Sequence, residues 1–136
     1  MSQRDLVLVA DDEPIVRLLV GRVLDQAGYR SIVVESALEA LAVLESQHDR
    51  VALVLTDVVM PERSGVELQR DIAERWPDLP VLFMSGYTPE ELMRQGVPDT
   101  AGFIGKPFSI EELLRVLEQK LERSPLERRR AARVGG

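Results

Sequence analysis

Apolar positions along this chain follow two alternating rhythms. Short unbroken apolar runs closed by turn formers predict strands, and stretches with apolar residues three or four apart predict helices. "LVLVA" (6–10) does not alternate, so its strand should be buried on both faces. "PIVRLLVGRVLDQAGY" (14–29) predicts a helix with Pro14 near its first position and Gly28 at its stop. "SIVVE" (31–35) predicts a second strand, and "SALEALAVLESQ" (36–47) a helix opened by the capping-box spacing of Ser36 and Glu39. "VALVLT" (51–56) is a third strand, followed by the helix "SGVELQRDIAERW" (64–76), with Ser64 and Glu67 at the same spacing. "LPVLFMS" (79–85) is a fourth strand, and "TPEELMRQG" (88–96) a short helix with Thr88 as cap, Pro89 first and Gly96 as stop. "AGFIGK" (101–106) and "SIEELLRVLEQKLE" (109–122), capped by Ser109 with Glu112, close the series.

Five strand-then-helix units predict an α/β fold: a doubly wound, five-stranded parallel sheet with helices on both faces. In such a sheet, ligands sit outside the carboxyl ends of the strands. The first strand ends in Asp11, Asp12 and Glu13, the third in Asp57, the fourth in Ser85 and Gly86, and the fifth in Lys106 and Pro107. These residues are distant in sequence, yet the topology brings them to one edge. Clustered carboxylates suit a hard divalent cation, with Mg²⁺ favoured because it accepts few carboxylates and keeps waters. A dication beside a carboxylate, a hydroxyl and an ammonium is an arrangement for phosphoryl transfer, in which a carboxylate can be the nucleophile.

Composition narrows the class. The chain has 136 residues, enough for one domain with a core, and its net charge is −6. The first 120 residues carry 12 basic and 21 acidic groups, which argues against nucleic acid as a direct ligand. The basic end "RSPLERRRAARVGG" reads first as a solvated tail, so the expected division is a domain over 1–123 and a flexible tail over 124–136. That tail is too short for a DNA-binding domain. No run approaches the roughly 18 apolar residues of a membrane span, and no secretory leader is visible, so a cytoplasmic protein without membrane contact is expected. Cysteine is absent and His48 is the single histidine, which removes disulfides, zinc sites and histidine triads. Only two of 17 basic residues are lysines, Lys106 and Lys120. The lysine at the strand end is either chance or a need for a compact, mobile charge.

"ADDEP", "LVLTDVVMPERSGVEL", "VLFMSGYT" and "GFIGKPF" together resemble the receiver domain of two-component response regulators, over about residues 5–122. The resemblance implies the flavodoxin-like strand order 2-1-3-4-5. It implies that Asp57 is the phosphoacceptor. Asp12 and Asp57 would ligate Mg²⁺ with the Val59 carbonyl, and Asp11 would help through water. Lys106 would pair with Asp57 or the phosphoryl oxygens, and Ser85 would donate its hydroxyl. Phe103 would be the aromatic that moves in the switch, and the Lys106–Pro107 bond would be cis. The implied partner is a histidine kinase or a histidine phosphotransfer protein.

Several residues have plainer readings. Glu13 suits a helix N-terminus through the macrodipole. Gly65 serves the turn after "MPERS", and Trp76 is packing at a helix stop. At about 100° per residue, Val16, Val20, Val23 and Ala27 of the first helix share a core face, flanked by Leu19 and Leu24. Ile15, Leu18 and Arg22 lie on another face. Ile15 and Leu18, with Pro107, are therefore candidates for docking a helical, histidine-bearing donor. The short fourth helix and "MSGYT" resemble receivers of hybrid sensor kinases, which points to a monomer rather than a dimer built on that face. Val59 and Tyr87, two beyond Asp57 and Ser85, are poor activators of water, so a persistent aspartyl phosphate is expected.

Three other classes compete. A flavin binder of the same sheet order would need a glycine- and hydroxyl-rich loop where "DDEP" stands. A haloacid-dehalogenase-type phosphatase would need a second Asp two residues after its nucleophile, on the first strand. A protein-binding module of the same fold could act without phosphorylation.

Overall fold

A computed structural model describes residues 5–97 and 102–122. Its strands are β1 (Leu6–Ala10), β2 (Arg30–Val34), β3 (Val51–Asp57), β4 (Val81–Ser85) and β5 (Gly102–Gly105). Its helices are α1 (Pro14–Gln26), α2 (Ala37–Gln47), α3 (Gly65–Arg75), α4 (Pro89–Arg94) and α5 (Ile110–Glu122). All ladder pairings are parallel, and the strand order is β2-β1-β3-β4-β5, as the resemblance implied.

The sheet separates two cores, and β1 shows why its run does not alternate. Leu6, Leu8 and Ala10 join Ala40 and Leu44 of α2 and Leu68 and Ile72 of α3 on one face. Val7 and Val9 join Val20 and Leu24 of α1 and Leu113 and Leu117 of α5 on the other. Each β1 residue is buried because both faces are covered. Burying a leucine in such a layer contributes about 1.5–3 kcal/mol.

The caps were readable. Ser64 with Glu67 and Thr88 with Glu91 form complete capping boxes, and Ser109 accepts from the Glu112 N–H at 3.0 Å. Ser36 also accepts from the Glu39 N–H, but the Glu39 carboxylate takes the N–H of Glu35 at 2.9 Å instead of that of Ser36. That use of its N–H coincides with β2 ending one residue early, at Val34. The fourth strand begins at Val81 and not at 79: Leu79 N–H closes a turn onto the Trp76 carbonyl, and Pro80 has no N–H to give. Gly28 stops α1 with φ 91°, which lets Tyr29 N–H reach back to the Leu24 carbonyl at 2.9 Å.

The core face of α1 needs correction. Val20, Val23 and Leu24 are buried, but Ala27 is exposed, because α1 ends at Gln26 and the chain turns away. Leu24, expected on the flank, is fully buried, while Leu19 is exposed. The tail expected over 124–136 lies outside the described residues.

Candidate functional site

Parallel strands deliver their last residues to one edge, and the register fixes which ones meet. Asp57 pairs with Met84, one residue before Ser85, and Ser85 pairs with Gly105, one residue before Lys106. The Lys106 N–H donates to the Ser85 carbonyl at 2.7 Å, so the ladder reaches the lysine itself. The Lys106–Pro107 bond is cis. On the other side of β3, Ala10 pairs with Thr56, which carries Asp11 and Asp12 to the same edge. Carboxylate oxygens of Asp11, Asp12 and Asp57 all lie within 4.8 Å of one another.

One ammonium serves this group. Lys106 Nζ lies 3.1 Å from Asp11 Oδ2, 3.2 Å from Glu13 Oε1 and 3.4 Å from Asp57 Oδ2. Asp11 and Asp57 are buried, and Asp12 is exposed. Burial pushes the Asp57 carboxyl above the usual carboxylate range; the Lys106 charge opposes this and the Asp11 charge adds to it. A lysine shared among three acids does not compensate Asp57 in full. Burial alone would lower the Lys106 pKa, but the hydrogen bond to Asp11 and the charges of Asp57 and Asp11 leave it raised.

These residues fit a divalent cation on the chemistry of their donors. They are oxygen ligands, one is open to solvent, and the single ammonium leaves a surplus of negative charge at the centre. Asp12 and Asp57 could ligate directly, and Asp11 could act through water. The loop after β3 carries the Val59 carbonyl; its side chain is exposed.

The remaining expected residues fall at or beside this edge. The Ser85 hydroxyl is buried and accepts the Tyr87 N–H at 2.9 Å, which leaves its own hydrogen free to donate. Phe103 is half-buried, pairs in register with Phe83 and packs on the core face shared by α2, α3 and α4. Ile15 is 80% exposed and Leu18 60% exposed, on the helix that follows the acidic turn. Pro107 is exposed, as is Ile110 at the start of α5.

Sequence reasoning missed three features. Glu13 suits a helix terminus, yet its carboxylate is also a partner of Lys106. Gly65 suits a turn, but a Cβ there would also overlap the Asp57 carbonyl oxygen. The α3 N-terminus is thus pressed against the backbone of Asp57, with Gly65 N–H donating to Val58 O at 2.8 Å. Arg17 was not singled out; it donates to the Asp11 carbonyl at 2.8 Å. Its place in the turn after the acids was the available signal.

The chain matches the response regulator receiver domain family over residues 7–118. It is 33% identical over 116 residues to the response regulator receiver protein CpdR of Brucella abortus, covering 85% of this chain and 95% of CpdR. It is 36% identical over 125 residues to the sensor kinase CckA of the same organism, covering 90% of this chain but only 13% of CckA. The chain spans 18% of the next such relative, the putative two-component response regulator ARR21 of Arabidopsis thaliana. Among solved structures, the receiver domain of NtrX from Brucella abortus superposes with a TM-score of 0.78 at 32% identity, covering 87% of this chain and 99% of that one. The chemotaxis protein CheY4 of Vibrio cholerae superposes with a TM-score of 0.77 at 30% identity, covering 85% and 97%.

Proposed function

The chain belongs to the response regulator receiver family, a signalling domain of two-component systems, and we propose that it accepts a phosphoryl group from a phosphohistidine onto Asp57. An Asp57 carboxylate oxygen attacks phosphorus, the bond from phosphorus to the imidazole nitrogen breaks, and that nitrogen keeps the electron pair. Lys106 holds a positive charge beside Asp57, where phosphoryl oxygens would arrive, and the Ser85 hydroxyl donates to one of them. Asp12, Asp57 and the Val59 carbonyl would hold Mg²⁺, and Asp11 would assist through water. The bound ion supplies the charge that lets a phosphoryl dianion approach a carboxylate. Ser85 and Phe103 then move, which changes the surface near α4 and β5. The donor is a histidine kinase or a histidine phosphotransfer protein, and the chain acts as a cytoplasmic monomer.

The observation that carries this reading is the meeting of Asp11, Asp12 and Asp57 within 4.8 Å, with Lys106 reaching the two buried ones. Incubation with acetyl phosphate and Mg²⁺ should add one phosphoryl mass to the parent and none to Asp57→Asn. A parent that gains no mass would instead favour a module that binds partners by shape alone. With Val59 and Tyr87 as the neighbours of the phosphoryl group, the adduct should persist for minutes or longer; loss within seconds contradicts this.

The donor docks through Ile15 and Leu18, with Pro107 beside them. Support comes from their exposure on the helix that begins at the acidic turn. Ile15→Asp and Leu18→Asp should slow transfer from a phosphohistidine protein and leave transfer from acetyl phosphate unchanged. Equal slowing with both donors rejects the docking role.

A further inference from the structure

Asp11 uses every polar group it has. Its N–H donates to the Val34 carbonyl at 3.1 Å, Oδ1 accepts the Glu13 N–H at 2.8 Å, and Oδ2 accepts Lys106 Nζ at 3.1 Å. The remaining group is its carbonyl, which accepts Arg17 Nη1 at 2.8 Å. The other arm of that guanidinium, Nη2, lies 3.7 Å from Glu35 Oε2. Glu35 is itself tethered, its N–H donating to Glu39 Oε1 at 2.9 Å. Arg17 therefore ties the acidic turn after β1 to the turn after β2. The carbonyl it holds belongs to the peptide that joins Asp11 to Asp12, and the plane of that peptide sets where the Asp12 side chain starts.

We propose that Arg17 is a positioning residue for the divalent cation: by fixing the Asp11–Asp12 peptide, it aims the exposed Asp12 carboxylate at the point shared with Asp57. This rests on the phosphoacceptor reading. It goes beyond it in assigning a cation near the acidic pocket the task of improving metal binding. That sign is what makes the idea testable. As a charge alone, a guanidinium beside the carboxylates repels Mg²⁺, so its removal should tighten binding. As a positioning group, its removal should loosen binding, because groups that orient metal ligands typically matter about tenfold or more in affinity. Arg17 lines, with Asp12, Glu35, Leu38, Pro61 and Arg63, an open cavity of about 430 Å³, so a neutral side chain has room there.

The experiment is Mg²⁺ titration of the full chain by calorimetry, with Arg17→Met and Arg17→Lys. Arg17→Met should bind Mg²⁺ about tenfold more weakly than the parent, with the same circular dichroism spectrum in EDTA. Arg17→Lys keeps the charge and three N–H donors on one nitrogen but loses the fork, and should fall between the two. Parent-like or tighter binding by Arg17→Met overturns the proposal. Should circular dichroism find Arg17→Met unfolded, Arg17→Lys decides, and a Kd equal to the parent's counts against the idea. A parent that binds no Mg²⁺ removes the phosphoacceptor reading and this inference together, whereas parent binding with no change on substitution removes only the inference.

Discussion

The two ends of the sheet treat charge in opposite ways. Where the strands begin, ions occur in exposed pairs: Arg30 with Asp5 at 3.3 Å and Arg75 with Glu45 at 3.3 Å. Arg75 also lies over the Trp76 ring at 4.4 Å, and His48 stacks on that ring at 5.4 Å between centroids. Both pairs reach solvent, and such pairs contribute about 0–1 kcal/mol. Where the strands end, Asp11, Glu13 and Asp57 share one lysine, and Asp12 stands beside them. At the first end each of these pairs sets one acid against one base. The other carries surplus like charge, part of it buried, at the point where a parallel sheet opens. The lesson is that unbalanced charge, and not charge as such, distinguishes the end that carries the candidate site.

The largest effect separating the ends is steric. Gly65→Ala would drive a Cβ into the carbonyl group of Asp57, so the loop or α3 must shift. Urea unfolding should find it about 3 kcal/mol less stable than the parent, and phosphoryl uptake should fall with it. Gly86→Ala, where a Cβ meets nothing within 4 Å, should change stability by less than about 1 kcal/mol. Equal costs at the two glycines would mean that α3 is not pressed against Asp57.

A smaller effect is electrostatic and depends on pH. The folded-state pKa of Asp57 is raised above its ordinary 3.8, by burial first and by Asp11 in addition. A raised carboxyl favours folding while protonated, and that contribution is lost as pH rises through the folded value. In EDTA, Asp57→Asn should therefore be more stable than the parent at neutral pH, and the gap should close as pH falls toward and below 3.8. Mg²⁺ should narrow the gap by stabilising the parent alone. Thermal melts at several pH values, with and without the ion, measure this. A parent more stable than Asp57→Asn in EDTA at neutral pH reverses the sign and contradicts the unbalanced-charge account.

The smallest effect belongs to the balanced end. Glu45→Gln removes one member of an exposed pair and should cost less than about 1 kcal/mol. It should leave the response to Mg²⁺ unchanged. A Mg²⁺-dependent loss there would blur the contrast between the two ends.

Much of the contrast is legible in the sequence. Unbroken apolar runs gave the strands, Ser64, Thr88 and Ser109 gave helix starts, and strand-end residues gave Asp57, Ser85 and Lys106 a common edge. These signals are local, or follow from topology alone. What could not be read depends on close approach between segments. The reason for Gly65 is a carbonyl eight residues away, Glu13 gains its role only when Lys106 arrives from β5, and Arg17 acts on a backbone atom that has no letter in the sequence. Ala27 was misplaced for a related reason: its helical angle fits the core face, but Gly28 turns the chain before that angle can be used.

The central claim is that the carboxyl end of the sheet is an unfinished charge cluster which a dication completes. A Mg²⁺ binding isotherm for the parent and for Asp12→Asn tests it most directly. The parent should bind one ion saturably, and Asp12→Asn at least about tenfold more weakly. Absence of saturable binding in the parent, or identical isotherms for the two proteins, would contradict it.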